Sequence, residues 1–121
     1  MFLLRLVIFF FLLNIFSTAM SDSVTVSSDK NQSSDTSVQQ NIDTDDVTLT
    51  VSGNAQVDDN AKAVAIDSGV SGAAVIVESG STITTTDNKD NGIFADTTTL
   101  LDITNSGTIS AAKNKAIDIY R

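Results

Sequence analysis

The strongest constraint on the fold is a repeat of 26 residues that begins at Val47 and runs to the C-terminus. It places large aliphatic residues in three columns of three: Leu49, Val75 and Leu101; Val51, Val77 and Ile103; Val57, Ile83 and Ile109. Inside each unit, apolar residues alternate with other residues at a period of two, and Val, Ile and Thr dominate, which favours strands over helices. Short strands that recur at a fixed spacing predict a parallel β-helix.

The physical basis of this prediction is that one unit cannot bury its own inward-facing side chains. When a second unit stacks about 4.8 Å away, the equivalent inward side chains of the two units bury each other. The strands of the two units then pair through parallel backbone hydrogen bonds. We therefore predict an all-β chain in which residues 47–121 form about three coils. An antiparallel β-sandwich is the alternative, but its strands need not recur at one spacing.

The N-terminus, residues 1–21, has the layout of a secretory signal peptide. Arg5 precedes an unbroken apolar run, Leu6–Leu13, and small residues follow at Ser17–Ser21. Cleavage after either Ala19 or Ser21 fits this layout. An uncleaved anchor is the alternative, although a spanning helix needs about 20 apolar residues. Both alternatives predict that the rest of the chain leaves the cytoplasm.

The next segment, residues 22–46, is dominated by Ser, Asp, Thr, Gln and Asn. Its few apolar residues bury too little surface to offset the entropy of ordering, so it is predicted to be a flexible spacer. Val24–Val26 could still form one short strand. The glycosylation sequon Asn31–Ser33 is interpreted as a chance match in a Ser-rich stretch.

Composition excludes several kinds of chemistry. The chain has no Cys and no His, which removes disulfides, thiolate nucleophiles, the Ser-His-Asp triad and the commonest zinc ligands. Its net charge of -8 disfavours a nucleic-acid partner. We expect no enzyme activity, and we assign no catalytic, cofactor-binding or metal-binding residue.

Acidic clusters are the only obvious candidates for a site. They are Asp43–Asp46, Asp58–Asp59 and Asp87–Asp90. Oxygen ligands of this kind can bind calcium. However, Lys89 occupies a ligand position of the loop, and no Glu follows at the required distance. We interpret these acids as solvated loop charges.

Carbohydrate chemistry is a second candidate, because some β-helices cleave polysaccharides with paired carboxylates. Such sites also need groups that grip sugar, and Phe94 is the only aromatic residue in the coils before Tyr120. The Thr-rich stretches Thr84–Thr86 and Thr97–Thr99 could offer a hydrogen-bonding face to a glycan or a host protein. Exposed strands and turns also favour Thr, so these stretches do not decide the function.

The segment Ile103–Ile109 has the form I-x-N-x-G-x-I. With Ser110 and Lys115–Ile119, it resembles the coil repeats of autotransporter passenger domains, and Val77–Ile83 and Val51–Val57 are looser versions. The resemblance covers residues 47–121. It implies a right-handed β-helix displayed outside a Gram-negative cell, on the cell surface or outer membrane or released from it. It also implies a role in adhesion, aggregation or colonisation. The family's C-terminal translocator barrel is missing, which suggests an N-terminal fragment, a truncated product or part of a split gene.

These observations predict an exported β-helical protein that acts as a non-catalytic stalk or binding surface. The expected partners are a host surface or glycan and, at the C-terminal end, a continuation of the same β-helix or another chain, because an open solenoid end exposes unpaired backbone. Only the N-terminal signal is expected to contact the membrane. The alternatives are a secreted carbohydrate-active enzyme on the same fold and a small exported structural protein.

Overall fold

The computed structural model describes residues 23–57, 61–87, 90–97 and 100–120, and the predicted signal peptide lies outside them. Every regular element in these ranges is a strand. The strands are β1 (Ser23–Val26), β2 (Lys30–Gln32), β3 (Gln39–Ile42), β4 (Thr48–Val51), β5 (Asn54–Val57), β6 (Val64–Ile66), β7 (Ala73–Val77), β8 (Thr82–Thr85), β9 (Ile93–Ala95), β10 (Leu101–Asn105), β11 (Thr108–Ala111) and β12 (Ile117–Ile119). The described part of the chain contains no helix that could cross a membrane.

The strands form three sheets in which every pairing is parallel. Sheet A has the order β1-β3-β6-β9-β12, sheet B has the order β10-β7-β4-β2, and sheet C has the order β11-β8-β5. Consecutive strands enter different sheets, so the chain winds past all three sheets once per coil. The predicted parallel β-helix is therefore confirmed.

Four coils follow β1. We number them coil 1 (residues 30–42), coil 2 (48–66), coil 3 (73–95) and coil 4 (101–119). Coil 1 has no strand in sheet C, and Thr36 replaces one by forming a single parallel bridge to Ala55. The three coils predicted after Val47 are coils 2 to 4, and coil 1 is an addition to them.

The core is a column of aliphatic side chains between the three sheets. Burial alternates along the strands, as in β7, where the first, third and fifth residues are buried and the two between them are half-buried. The largest fully buried aliphatic side chains are Ile42, Leu49, Ile66, Ile83, Ile93, Val26, Val51, Val57, Val64, Val75 and Val77. Stacking like residues on like thus removes the inward face of each middle coil from water.

In sheet B, the register agrees with the 26-residue period at one step and departs from it at the next. Leu49 pairs with Val75, as predicted. Val75 then pairs with Ile103, so the predicted stacking of Val75 on Leu101 is wrong by two residues. Because strand side chains alternate between faces, a shift of two leaves every inward residue inward.

Sheet C shows the same departure in the opposite order. Ile83 pairs with Ala55 instead of the predicted Val57, and Ile83 then pairs with Ile109, as predicted. The lengths of the corners between sheets vary, and these two-residue shifts absorb the variation while every inward residue stays inward. As a result Thr85 pairs with Val57, and Asn105 pairs with Val77.

The segment predicted to be a flexible spacer, residues 22–46, carries three of the strands. Val24–Val26, the one short strand considered for this segment, falls within β1. The strands β2 and β3 pair with β4 and β6. Val26 and Ile42 supply the aliphatic residues of this first layer. The structure therefore extends the parallel stack to before Val47.

One corner requires glycine because two coils approach closely there. A Cβ atom on Gly107 would lie 2.6 Å from the carbonyl oxygen of Glu78 and would also overlap that of Ser81. Gly107 thus allows the corner between β10 and β11 to rest directly on coil 3.

Candidate binding surfaces

The first predicted calcium candidate, Asp43–Asp46, lies in the exposed corner between β3 and β4. The Thr44 hydroxyl donates to Asp43 Oδ1 at 2.8 Å. Asp45 Oδ1 accepts the backbone N–H of Ser71, one coil further on, at 2.8 Å. These carboxylates are therefore engaged in local and coil-to-coil hydrogen bonds.

The other two acidic clusters are only partly visible. Asp58 and Asp59 lie outside the described residues, as does the centre of Asp87–Asp90. Asp90 is buried at 5% exposure, and its backbone carbonyl accepts the Thr85 hydroxyl at 3.0 Å. In the described ranges, no group of three or more His, Cys, Asp or Glu residues is arranged to hold a metal ion.

Three carboxylates at the corners have the same structural role, which is to accept a hydrogen bond from a backbone N–H group. Asp45 was described above; in addition, Asp29 Oδ1 accepts the N–H of Thr48 at 2.8 Å, and Asp35 Oδ1 accepts the N–H of Asn54 at 3.0 Å. Each carboxylate reaches from one coil to a backbone amide of the next. Such bonds satisfy amides at the corners, where the strand ladders are interrupted.

The predicted Thr-rich face divides between the two sides of sheet C. Thr84 points outward and hydrogen-bonds Ser110 at 3.0 Å, whereas Thr85 is fully buried. Alternation along the strand separates neighbouring threonines, so they cannot form one continuous face. Of the second stretch, only Thr97 is described.

The outer face of sheet C instead carries a ladder of mixed polar side chains. Thr82 donates to Asn54 Oδ1 at 2.9 Å, and Asn54 Nδ2 donates to Asp35 Oδ1 at 3.1 Å. An open groove of about 570 Å³ runs along it, lined by Asp35, Thr36, Ser37, Asn54, Gln56 and Thr82. The ladder side chains bond one another, which links coils 1, 2 and 3.

The outer face of sheet A holds an aromatic and basic cluster that we call the sheet A patch, formed by Phe94, Tyr120, Lys62 and Lys115. The two ring centroids lie 5.6 Å apart with the planes tilted by 51°. Lys62 Nζ lies 4.6 Å from the Phe94 centroid, and Lys115 Nζ lies 6.0 Å from that of Tyr120. The rings and the ammonium groups therefore attract each other across neighbouring coils.

Asp118 fixes one side of the sheet A patch. Its Oδ1 lies 2.7 Å from Lys115 Nζ, and its Oδ2 accepts Asn91 Nδ2 at 3.3 Å. The hydrogen bond and the negative charge of Asp118 raise the pKa of Lys115 above its ordinary value. The contact with Asp118 thus favours the charged form of Lys115.

An acidic column borders the sheet A patch. Asp43, Asp67 and Asp96 follow β3, β6 and β9 at equivalent positions, because the N–H of Asp67 bonds the Ile42 carbonyl and that of Asp96 bonds the Ile66 carbonyl. All three are exposed. The outer face of sheet A therefore has an acidic margin beside its aromatic and basic part.

The sheet A patch was not predicted from the sequence. Phe94 and Tyr120 are separated by 26 residues, the same spacing as the repeat, and this was the signal that could have paired them. The observed register places Asp118 opposite Phe94, so Tyr120 reaches the Phe94 ring diagonally.

Comparison with known proteins adds no relative. No family model, no curated protein and no solved structure matches the chain.

Proposed function

We propose that this chain is an exported, non-catalytic β-helical stalk that presents a binding surface, similar in kind to an autotransporter passenger domain. The observation that carries the proposal is the parallel pairing that continues without interruption from coil 1 to coil 4 on sheets A and B. Such stacking makes a stiff rod that lengthens by about 4.8 Å per coil. A rod of this kind serves to hold an outer surface at a distance.

The positions of four carboxylates favour the stalk over the enzyme. Catalytic acids have to face a substrate, but Asp29, Asp35 and Asp45 are occupied with backbone amides of the next coil. Asp118 is occupied with Lys115 and Asn91. These contacts support an interpretation in which acidic residues hold the coils together.

We propose that the sheet A patch is the surface that binds a partner and that this partner is a saccharide. Aromatic rings stack against the apolar faces of sugar rings, while ammonium, amide and carboxylate groups bond hydroxyls. Tyr120 is 54% exposed, so its ring is accessible. Lys115 provides an ammonium group beside the Tyr120 ring, and Lys62 provides one beside the Phe94 ring.

Export can be tested by locating the full chain in a Gram-negative host through cell fractionation and protease accessibility. We expect it outside the cytoplasm. Leu12→Arg, which interrupts the apolar run, should retain the chain inside the cell, and Phe11→Leu is the matched control that keeps the run apolar. A wild-type chain found in the cytoplasm would overturn the exported role.

Binding can be tested by pull-down of the purified chain with immobilised polysaccharides, neutral and acidic. We expect Tyr120→Ala to reduce capture at least tenfold, with Thr84→Ala on sheet C as the control that leaves it unchanged. New reducing ends in the same samples would instead identify the chain as a carbohydrate-active enzyme. Equal capture by the wild-type chain and both variants would refute the sheet A patch as the binding surface.

A further inference from the structure

The two lysines of the sheet A patch differ in their electrostatic surroundings. Lys115 Nζ is paired with the Asp118 carboxylate at 2.7 Å, so its charge is balanced at short range. Lys62 forms no ion pair with a carboxylate of the described residues, and its Nζ lies over the Phe94 ring instead, 4.6 Å from the centroid. The patch therefore contains one ammonium group that has an aromatic neighbour but no anionic partner.

Lys62 is also held in position by its surroundings. Its backbone N–H donates to Gln39 Oε1 at 3.1 Å, and both the Lys62 and the Phe94 side chains are half-buried. The face of an aromatic ring attracts an ammonium group without cancelling its charge. Because the lysine is already confined by these contacts, it loses less conformational freedom when it binds an anion.

The charges on the outer face of sheet A are separated between its two edges. Lys62 comes two residues before β6, whereas Asp67 directly follows β6 and Asp96 directly follows β9. Asp67 Oδ2 accepts Asn41 Nδ2 at 3.2 Å, and Asp96 Oδ1 accepts the Thr97 hydroxyl at 3.0 Å. The face is thus cationic at the edge where these strands begin and acidic at the edge where they end. A ligand with an anionic group on one side and hydroxyl groups on the other matches this arrangement.

We propose that the sheet A patch selects an acidic saccharide, whose sugars carry a carboxylate, and that Lys62 binds this carboxylate. The inference rests on the proposed saccharide-binding function and narrows its class of ligand. The exposed Tyr120 ring stacks on the apolar face of a sugar, and the Lys62 ammonium donates charge-assisted hydrogen bonds to a carboxylate beside it. The net charge of -8 repels an anion at long range, but charges more than about 8 Å apart are largely screened at physiological ionic strength. The short-range contact with Lys62 therefore decides the preference.

Isothermal titration calorimetry of the purified full chain at physiological ionic strength tests this preference. The ligands are trisaccharides of galacturonate, mannuronate and glucuronate, together with the methyl ester of each, which keeps the sugar and the linkage but removes the charge. The decisive variant is Lys62→Gln. Lys113→Gln is the matched control, because it removes the same charge from an exposed corner residue outside the sheet A patch. Circular dichroism establishes that both variants keep their strands.

We expect the wild-type chain to bind at least one acidic trisaccharide at least tenfold more tightly than its methyl ester. Lys62→Gln should abolish this difference, and Lys113→Gln should keep it. Equal affinity of the wild-type chain for acid and ester would overturn the acidic preference and leave the saccharide-binding surface standing. Equal losses in the two lysine variants would overturn the role of Lys62, because total charge would then be the cause. Binding of neither acids nor esters would overturn this inference together with the saccharide-binding function.

Discussion

Truncating Ile83 tests whether the stacked columns hold the fold together. Ile83 is fully buried on β8, between Ala55 of coil 2 and Ile109 of coil 4. Ile76 on β7 is the matched control, because it has the same side chain but points outward between buried neighbours in the sequence. The two substitutions, Ile83→Ala and Ile76→Ala, remove the same carbon atoms from the inner face of sheet C and from the outer face of sheet B.

The expected cost can be worked from the surroundings of each residue. Ile83→Ala removes three buried carbons at about 0.8 kcal/mol each, or about 2.4 kcal/mol. Ala55 is too small to fill the space, and a residual cavity of roughly 40 Å³ at about 24 cal/mol per Å³ adds about 1 kcal/mol. The total is about 3.4 kcal/mol of unfolding free energy, against about 1.5 to 2 kcal/mol for Ile76→Ala, because Ile76 is only partly buried and its truncation leaves no enclosed cavity.

Urea unfolding followed by circular dichroism of the strands measures both costs. We expect the midpoint to fall about twice as far for Ile83→Ala as for Ile76→Ala, with similar slopes. Equal midpoints for the two variants would refute the assignment of inward and outward faces. A larger loss for Ile76→Ala would place the core on the other side of the sheet.

Two further predictions test the register and the sheet A patch. The chain has no Cys, so paired cysteines report position directly: Ile76→Cys with Thr104→Cys should form a disulfide under mild oxidation, whereas Ile76→Cys with Asp102→Cys, the pair that a strict 26-residue period would align, should form it much more slowly. An alkaline NMR titration should show the pKa of Lys115 above its ordinary value and lowered toward it in Asp118→Asn; the stabilisation from this pair is complete below the ordinary pKa and is lost as the pH rises through the raised pKa. An unchanged pKa in Asp118→Asn would contradict the contact.

The sequence predicted coils 2 to 4 because their inward positions are aliphatic and alternate with polar residues. Coil 1 was missed for the same reason, since Gln32 and Gln40 occupy inward positions and remove the apolar alternation on which strand prediction depends. Their side-chain amides donate to backbone carbonyl groups, which lowers the free-energy cost of burying them. Contacts with the backbone of this kind cannot be predicted from the sequence pattern.

The register was predictable only in part. Corner lengths differ from coil to coil, so the column of Val75 continues to Ile103 and not to Leu101. A shift of two residues keeps every inward side chain inward, and it pairs Val77 with Asn105 instead of Ile103, so the apolar pattern by itself favours the alignment that the structure does not have. The sheet A patch depends on this register, which is why its contacts emerged only from the structure.

The spacing of paired strands has a consequence for how the chain can acquire its structure. In sheet A, each strand after β1 pairs with one that lies 16 to 29 residues earlier; Gln39 pairs with Ser23, Val64 with Gln40, and Ile93 with Val64. No strand in this sheet pairs with a strand from the far end of the polypeptide, so each pairing closes only a short loop and costs little loop-closure entropy. A chain that emerges N-terminus first from a narrow passage can therefore pair each new coil with the coil that has already folded outside. The folded coils would then oppose movement of the chain back into the passage.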